Sequence, residues 1–252
     1  MARTAAGAAL TALHQRSQLA LRAALLRDLA RLWPMFDPAT FGTFDRFTGV
    51  ATVLLTMRHR DSAALAARYL SAFRMAEGVA GDEPVALAER PEPERIAASL
   101  RATGLAGTVR AVAGGQSMEA ARRSGFVALA GAAGSLVLDG GRETITESAA
   151  RDRVARGWQR VTGSDPCAFC QMLASRGAAY RGGETAAFEA HDHCACSAEI
   201  AYSGSALPPG AAQSRERWNR ETEGLSGRDA LNAFRRSIDA ERRGTEAVSD
   251  GA

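Results

Sequence analysis

The chain has 252 residues, enough for one large domain or two small ones, and its 46% apolar and 23% charged residues are ordinary for a globular protein. A formal net charge of +3 gives little electrostatic case for nucleic acid, and all the basic residues are arginine. Without a run of about twenty apolar residues or a signal-peptide pattern, the sequence predicts no membrane association and folding in a cytoplasm.

Residues 4–33 read as a helix. Leu10, Leu13, Leu21, Leu25, Leu29 and Leu32 recur at helical spacing, with Ser17 in the gap of the stripe. Arg16, Arg22, Arg27 and Arg31 lie elsewhere on the wheel, and Pro34 and Pro38 stop the helix. Such a helix can lie on a membrane surface, but packing against neighbouring helices is the preferred reading. Asp37-Pro38 has the chemistry of a helix start, so a second helix is expected over 39–77, with Gly78 and Gly81 ending it. Its apolar face would be Phe44, Phe47, Ala51, Leu54, Leu65, Tyr69 and Phe73. His59 in that helix and His14 in the first are read as solvated surface residues without a role.

A connector rich in proline and acid covers 78–93, and short helices follow at 94–103 and 105–113. Ser117 can cap a helix over 118–138. Asp139-Gly140-Gly141 reads as a break before a further helix to about 153. With no strand alternation before residue 154, residues 1–150 are expected to form a helical domain, a bundle or an array of helical hairpins.

Residues 151–202 differ in kind. All four cysteines lie here, in the pattern C-x2-C-x20-H-x-H-C-x-C. Two close-spaced ligand pairs joined by a loop can close one tetrahedral zinc site. The candidates are Cys167, Cys170, His191, Cys194 and Cys196, with His193 ranked last. Two disulfides or four free thiols are the competing readings, and a reducing compartment favours the metal. Strands are expected at 154–162, 178–180 and 195–202, with a short helix at 168–175. Trp158, Phe169, Tyr180, Phe188 and Tyr202 would form the module's core. A module this small is stabilised by its metal, so the zinc is read as structural. A catalytic zinc would need an open position and a general base; Glu184, Glu189, Asp192 and Glu199 are the nearby acids. Residues 203–213 read as a linker, 214–243 as a last helix, and the remainder to 252 as disordered. The fold class predicted is mainly α, with a small α+β zinc-knuckle module near the C-terminus.

Segment 139–202 resembles the MuF-like minor capsid and head morphogenesis proteins of tailed bacteriophages, in the form found in phages of actinobacteria. The resemblance is carried by Gly140-Gly141-Arg142-Glu143-Thr144, Gly157-Trp158, Arg160-Val161 and Pro166-Cys167-Ala168-Phe169-Cys170. It continues through Met172 to Gly177, Tyr180, His191-Asp192, Cys194 and Cys196. Its terminal His-x-x-Cys-x-Cys favours His191 over His193. It implies a virion protein of the phage head, made in the host cytoplasm and bound to the portal, the major capsid protein or other copies of itself. P-loop, G-x-G-x-x-G, HExxH and GxSxG signatures are absent from the sequence, so a non-enzyme is expected. The alternative is a zinc-dependent hydrolase, a nuclease or protease, acting in head maturation or DNA delivery.

Overall fold

Thr4 opens the first helix by accepting the Gly7 amide on its side chain at 2.9 Å. The computed structural model describes residues 4–81, 83–180, 187–208 and 210–249, with side chains up to residue 243. In chain order the elements are α1 (Ala5–Leu32), α2 (Thr43–Ala76), α3 (Pro93–Leu100), α4 (Ala106–Ala113), α5 (Met118–Arg151), β1 (Gly157–Val161), α6 (Ala168–Ser175), β2 (Ser197–Ala201), α7 (Ala211–Glu221) and α8 (Gly227–Ser249). The fold is mainly α, as the sequence predicts, with one small antiparallel sheet among the described residues, in which Trp158 pairs with Ile200.

α5 is the axis of the molecule and packs against α1, α2 and α4. It runs unbroken through Asp139-Gly140-Gly141, where the sequence predicts a break. The reason is close packing. A Cβ at Gly140 would stand 2.3 Å from the His59 carbonyl oxygen, so glycine lets α2 and α5 approach at backbone distance. Beside it the Gly141 amide donates to Ser62 Oγ at 2.9 Å. By length and composition α5 could cross a membrane, but 61% of its most apolar window is buried inside the protein.

The buried face of α1 is rotated from the leucine stripe. Leu13 is 52% exposed, while Thr11, His14 and Gln18 are buried with Leu25 and Leu29. These polar groups have partners far along the chain. Thr11 Oγ1 bonds to Tyr69 Oη at 2.9 Å and donates to Glu199 Oε2. Gln18 donates to the Ser62 carbonyl and accepts from Ser62 Oγ at 2.7 Å. His14 and His59, expected to be solvated, are both buried. His14 stacks on Tyr69 with ring centroids 4.5 Å apart, and burial lowers its pKa to about 4.

Other boundaries shift for local reasons. Asp37 closes a turn, accepting Ala39 N on Oδ1 and donating its own amide to Thr43 Oγ1, so α2 begins at Thr43. A π-helical turn at Arg101–Leu105 joins α3 to α4. The predicted strand at 178–180 is a single bridge from Tyr180 to Trp158. The last predicted helix is two, because Gly224 and Gly227 take positive φ in the turn between α7 and α8. α8 continues to Ser249, within the predicted disordered tail; residues 250–252 lie outside the described residues.

Among the described residues two large apolar cores result, besides the cysteine cluster. One gathers Trp33, Phe36, Phe44 and Phe47 with Leu25 and Leu29 around edge-to-face rings. The other joins Tyr69 and Phe73 of α2 and Ile145 of α5 to Trp158, Ile200 and Tyr202 of the sheet region and Phe234 and Ile238 of α8. Each large side chain so buried contributes roughly 1.5–3 kcal/mol. This second core seats the cysteine segment directly on α5.

Candidate metal centre

The Cys-Ala-Phe-Cys turn works because α6 begins at it. Cys167 is the N-cap, its sulfur accepting the Cys170 amide at 3.4 Å, and Cys170 lies in the first turn. A helix N-terminus favours thiolate over thiol. The second cysteine pair enters β2, with Cys194 and Cys196 both buried and alternate in an extended run. The sheet register places that run across from β1, which leads into α6.

These elements bring the five predicted residues into two groups that share Cys170. Cys167, Cys170 and His191 have their ligand atoms within 4.8 Å of one another, and so do Cys170, Cys194 and Cys196. Cys170 Sγ lies 3.7 Å from Cys194 Sγ and 3.9 Å from His191 Nε2. Ligands at zinc bond lengths of about 2.0–2.3 Å on tetrahedral corners stand about 3.3–3.8 Å apart. All four cysteines are free thiols, and the 3.7 Å separation is far above a disulfide bond.

His191 is oriented as a ligand would be. Its Nδ1 lies 2.6 Å from the Asp192 carbonyl, which can only accept, so the proton sits there and Nε2 faces Cys167 Sγ at 2.9 Å. His193 points elsewhere. It adopts φ 65°, and its ring covers α5 at Gly131, where a Cβ would meet Nε2 at 2.5 Å. Among the described residues no carboxylate joins either group. Glu189 and Asp192 are exposed, Glu199 is buried on β2 against Thr11 and Gln159, and Glu184 lies outside the described residues.

The thiols are electrostatically coupled. Hydrogen bonding between Cys170 and Cys194 pushes the Cys170 thiol up and the Cys194 thiol down. At Cys167 burial acts upward, but the Cys170 amide and His191 outweigh it and the thiol titrates low. At Cys196 the Cys170 bond acts downward and is outweighed by Cys194 and burial.

Two arginines surround this cluster, and the metal-ligand spacing gives neither a role. Arg142, 2% exposed on α5, donates from Nε to the Cys196 carbonyl at 3.0 Å and from Nη2 to the Cys194 carbonyl at 2.9 Å. Its Nη1 pairs with Asp139 at 2.8 Å. Arg160 is 1% exposed on β1; its Nη2 donates to the Glu189 carbonyl at 2.6 Å and its Nη1 reaches Cys170 Sγ at 3.8 Å. Both guanidiniums lie over the Phe188 ring, Arg160 at 3.8 Å and Arg142 at 4.8 Å from its centroid. Phe188 in turn stacks on Trp158, and Trp158 on Tyr180.

Arg160 tests the fit of a metal. Its Nε is buried without a hydrogen bond, and its partners among the described residues are the Cys170 sulfur, the Glu189 carbonyl and the Phe188 ring, none of them a carboxylate. A buried cation needs a counter-charge. A metal held by several thiolates carries net negative charge, so the donor set and its surroundings fit a soft divalent cation.

A family model described as VG15 protein matches residues 4–221. The chain belongs to the VG15 protein family. The match takes in α1 through α7 and the whole thiol cluster, and ends before α8. No curated protein and no solved structure matches the chain.

Proposed function

We propose that the protein is a structural component of a phage particle, a minor capsid protein of the MuF-like kind acting in head assembly. Membership of the VG15 family across residues 4–221 is the observation that carries this reading, because it supports a phage origin for nearly the whole chain. The helical architecture and the motif residues from Gly140 to Cys196 agree with it. The partner would be the portal, the inner face of the major capsid protein, or further copies of the chain.

The thiol cluster is proposed as a structural zinc site. Bound there, the ion would supply a crosslink between the start of α6, the His191 loop and the start of β2. Cys170 would be the common ligand, with three of Cys167, His191, Cys194 and Cys196 completing the set. Five donors for four positions suit a closed site better than one holding a position open for water. The protein is accordingly proposed not to be an enzyme.

The experiment is deletion of the gene from its phage with complementation by a tagged copy. Expected are particles that carry the tagged chain at low copy number, and a fall in filled heads without it. Normal filled heads in the deletion, or complementing particles free of the chain, would sink the reading.

A further inference from the structure

Along α5, two adjoining cavities of about 720 and 360 Å3 share Arg95, Asp139, Glu143 and Glu147 in their walls. Asp139, Glu143 and Glu147 recur every four residues, so they line one face of the helix. The connector before α3 adds Glu89 and Glu92, and the loop before the second cysteine pair adds Glu189. Against these stand Arg90, Arg95 and Arg142, and Arg142 is already engaged by Asp139 and the carbonyls of Cys194 and Cys196. Among the described residues the groove is thus net acidic, in a chain whose formal net charge is +3. Burial, with the neighbouring Asp139, Glu147 and Glu89 carboxylates and against the pull of Arg95, pushes Glu143 up to about 7. Negative charge here is under-compensated.

A second observation points to a ligand independently of the acids. His59 is 3% exposed and lines the smaller cavity. Among the described residues its ring forms no hydrogen bond, and burial lowers its pKa, so the imidazole is neutral and offers a lone pair. That lone pair is open to the cavity, where an arriving N–H donor can meet it. A bare metal ion does not suit the groove: among the described residues, the only groups with three ligand atoms within 4.8 Å of one another are the thiol groups. The volumes also far exceed one ion or water, whose share of liquid is about 30 Å3.

We propose that this groove receives an arginine- or lysine-bearing segment of a partner protein, with a cationic side chain entering each cavity. His59 and the carboxylates of α5 are the acceptors, and a flat guanidinium or an ammonium group supplies the N–H donors they lack.

The test is fluorescence anisotropy on the full chain, purified with its metal, using a labelled peptide of three arginines separated by pairs of alanines. Expected is saturable binding of one peptide per chain, weakened about tenfold or more by Glu143→Gln with Glu147→Gln. The distant pair Glu119→Gln with Glu216→Gln should leave binding unchanged. Circular dichroism confirms that each variant is folded. Equal weakening by both pairs, or no saturable binding, overturns the proposal. Spermidine provides the second arm: displacement of the peptide by an equal concentration of spermidine would make the occupant a small polyamine and likewise overturn it.

Discussion

Arg142 Nη2 donates to the carbonyl of Cys194 across a sequence gap of 52 residues, at 2.9 Å and in a buried setting. Together with the bond from Nε to Cys196, this fork fixes both backbone carbonyls of the second cysteine pair to α5. Arg142→Ala removes the fork and leaves those carbonyls and Asp139 unpartnered. A loss of about 3–5 kcal/mol is expected in urea unfolding. Arg142→Lys keeps the charge without the planar geometry and should fall between the two. A stability loss below about 0.5 kcal/mol for the alanine variant would mean that the fork holds nothing.

Cys170 is the one residue common to both groups of ligand atoms. Cys170→Ser should therefore weaken Zn2+ binding more than about a hundredfold, measured by competition with a chromophoric chelator. Among Cys167, His191, Cys194 and Cys196, one position should prove dispensable, since four donors complete the tetrahedron. Substitution by Co2+ makes this readable, because thiolate charge-transfer intensity counts the sulfurs retained. Metal content near zero in the purified wild-type chain would remove the centre altogether.

What could be read in the sequence was what depends on short spacing. The Cys167–Cys170 turn, the extent of α6 and the cap at Ser117 are local, and the structure places them where the spacing does. The α1 face was missed because Thr11, His14 and Gln18 look solvated until Tyr69, Glu199 and Ser62 arrive from elsewhere in the chain. Arg142 carried a faint signal, a lone arginine among the small buried residues of α5, but its partners at Cys194 and Cys196 follow only from the fold. The same holds for Arg160, whose charge makes sense only beside the thiols.

The unbroken course of α5 through Gly140 yields a paired prediction. A methyl group at Gly140 would collide with the His59 carbonyl, so Gly140→Ala must force α2 and α5 apart at a cost of about 2–3 kcal/mol. At Gly49, exposed on α2, an added Cβ would meet no atom within 4 Å, and Gly49→Ala should instead gain about 0.5–1 kcal/mol from helix propensity. Thermal unfolding of the two variants checks this. Equal shifts of the same sign would show that the glycine in α5 is not there for helix packing.

The groove acids imply a stability that falls as pH rises. Glu143 titrates near 7 in the folded chain and near 4.5 when unfolded, so between those values the folded state holds the extra proton. Its burden is absent below about pH 4.5 and fully present above about 7. Glu143→Gln, which carries no charge, should therefore raise the melting temperature more at pH 8 than at pH 5. A gain independent of pH would show that the carboxylate is well compensated, and a loss at pH 8 that its charge stabilises the fold.

His14 has the opposite pH dependence. Its folded pKa, lowered to about 4 by burial, lies below the ordinary 6.5, so the unfolded state binds more protons between these values. Stability is then intact above about pH 6.5 and declines as pH falls toward 4, by up to about 3 kcal/mol for a shift of this size. Release of the proposed metal would also destabilise the protein over this range, so the informative quantity is the difference between wild type and His14→Phe. Phenylalanine can keep the stack on Tyr69, and it brings no titrating nitrogen to the site where Nδ1 is buried without a partner. Urea midpoints measured from pH 7 to pH 4 should show wild type losing ground to the variant. Parallel curves would mean that His14 takes its proton without disturbing the helix pair that buries it.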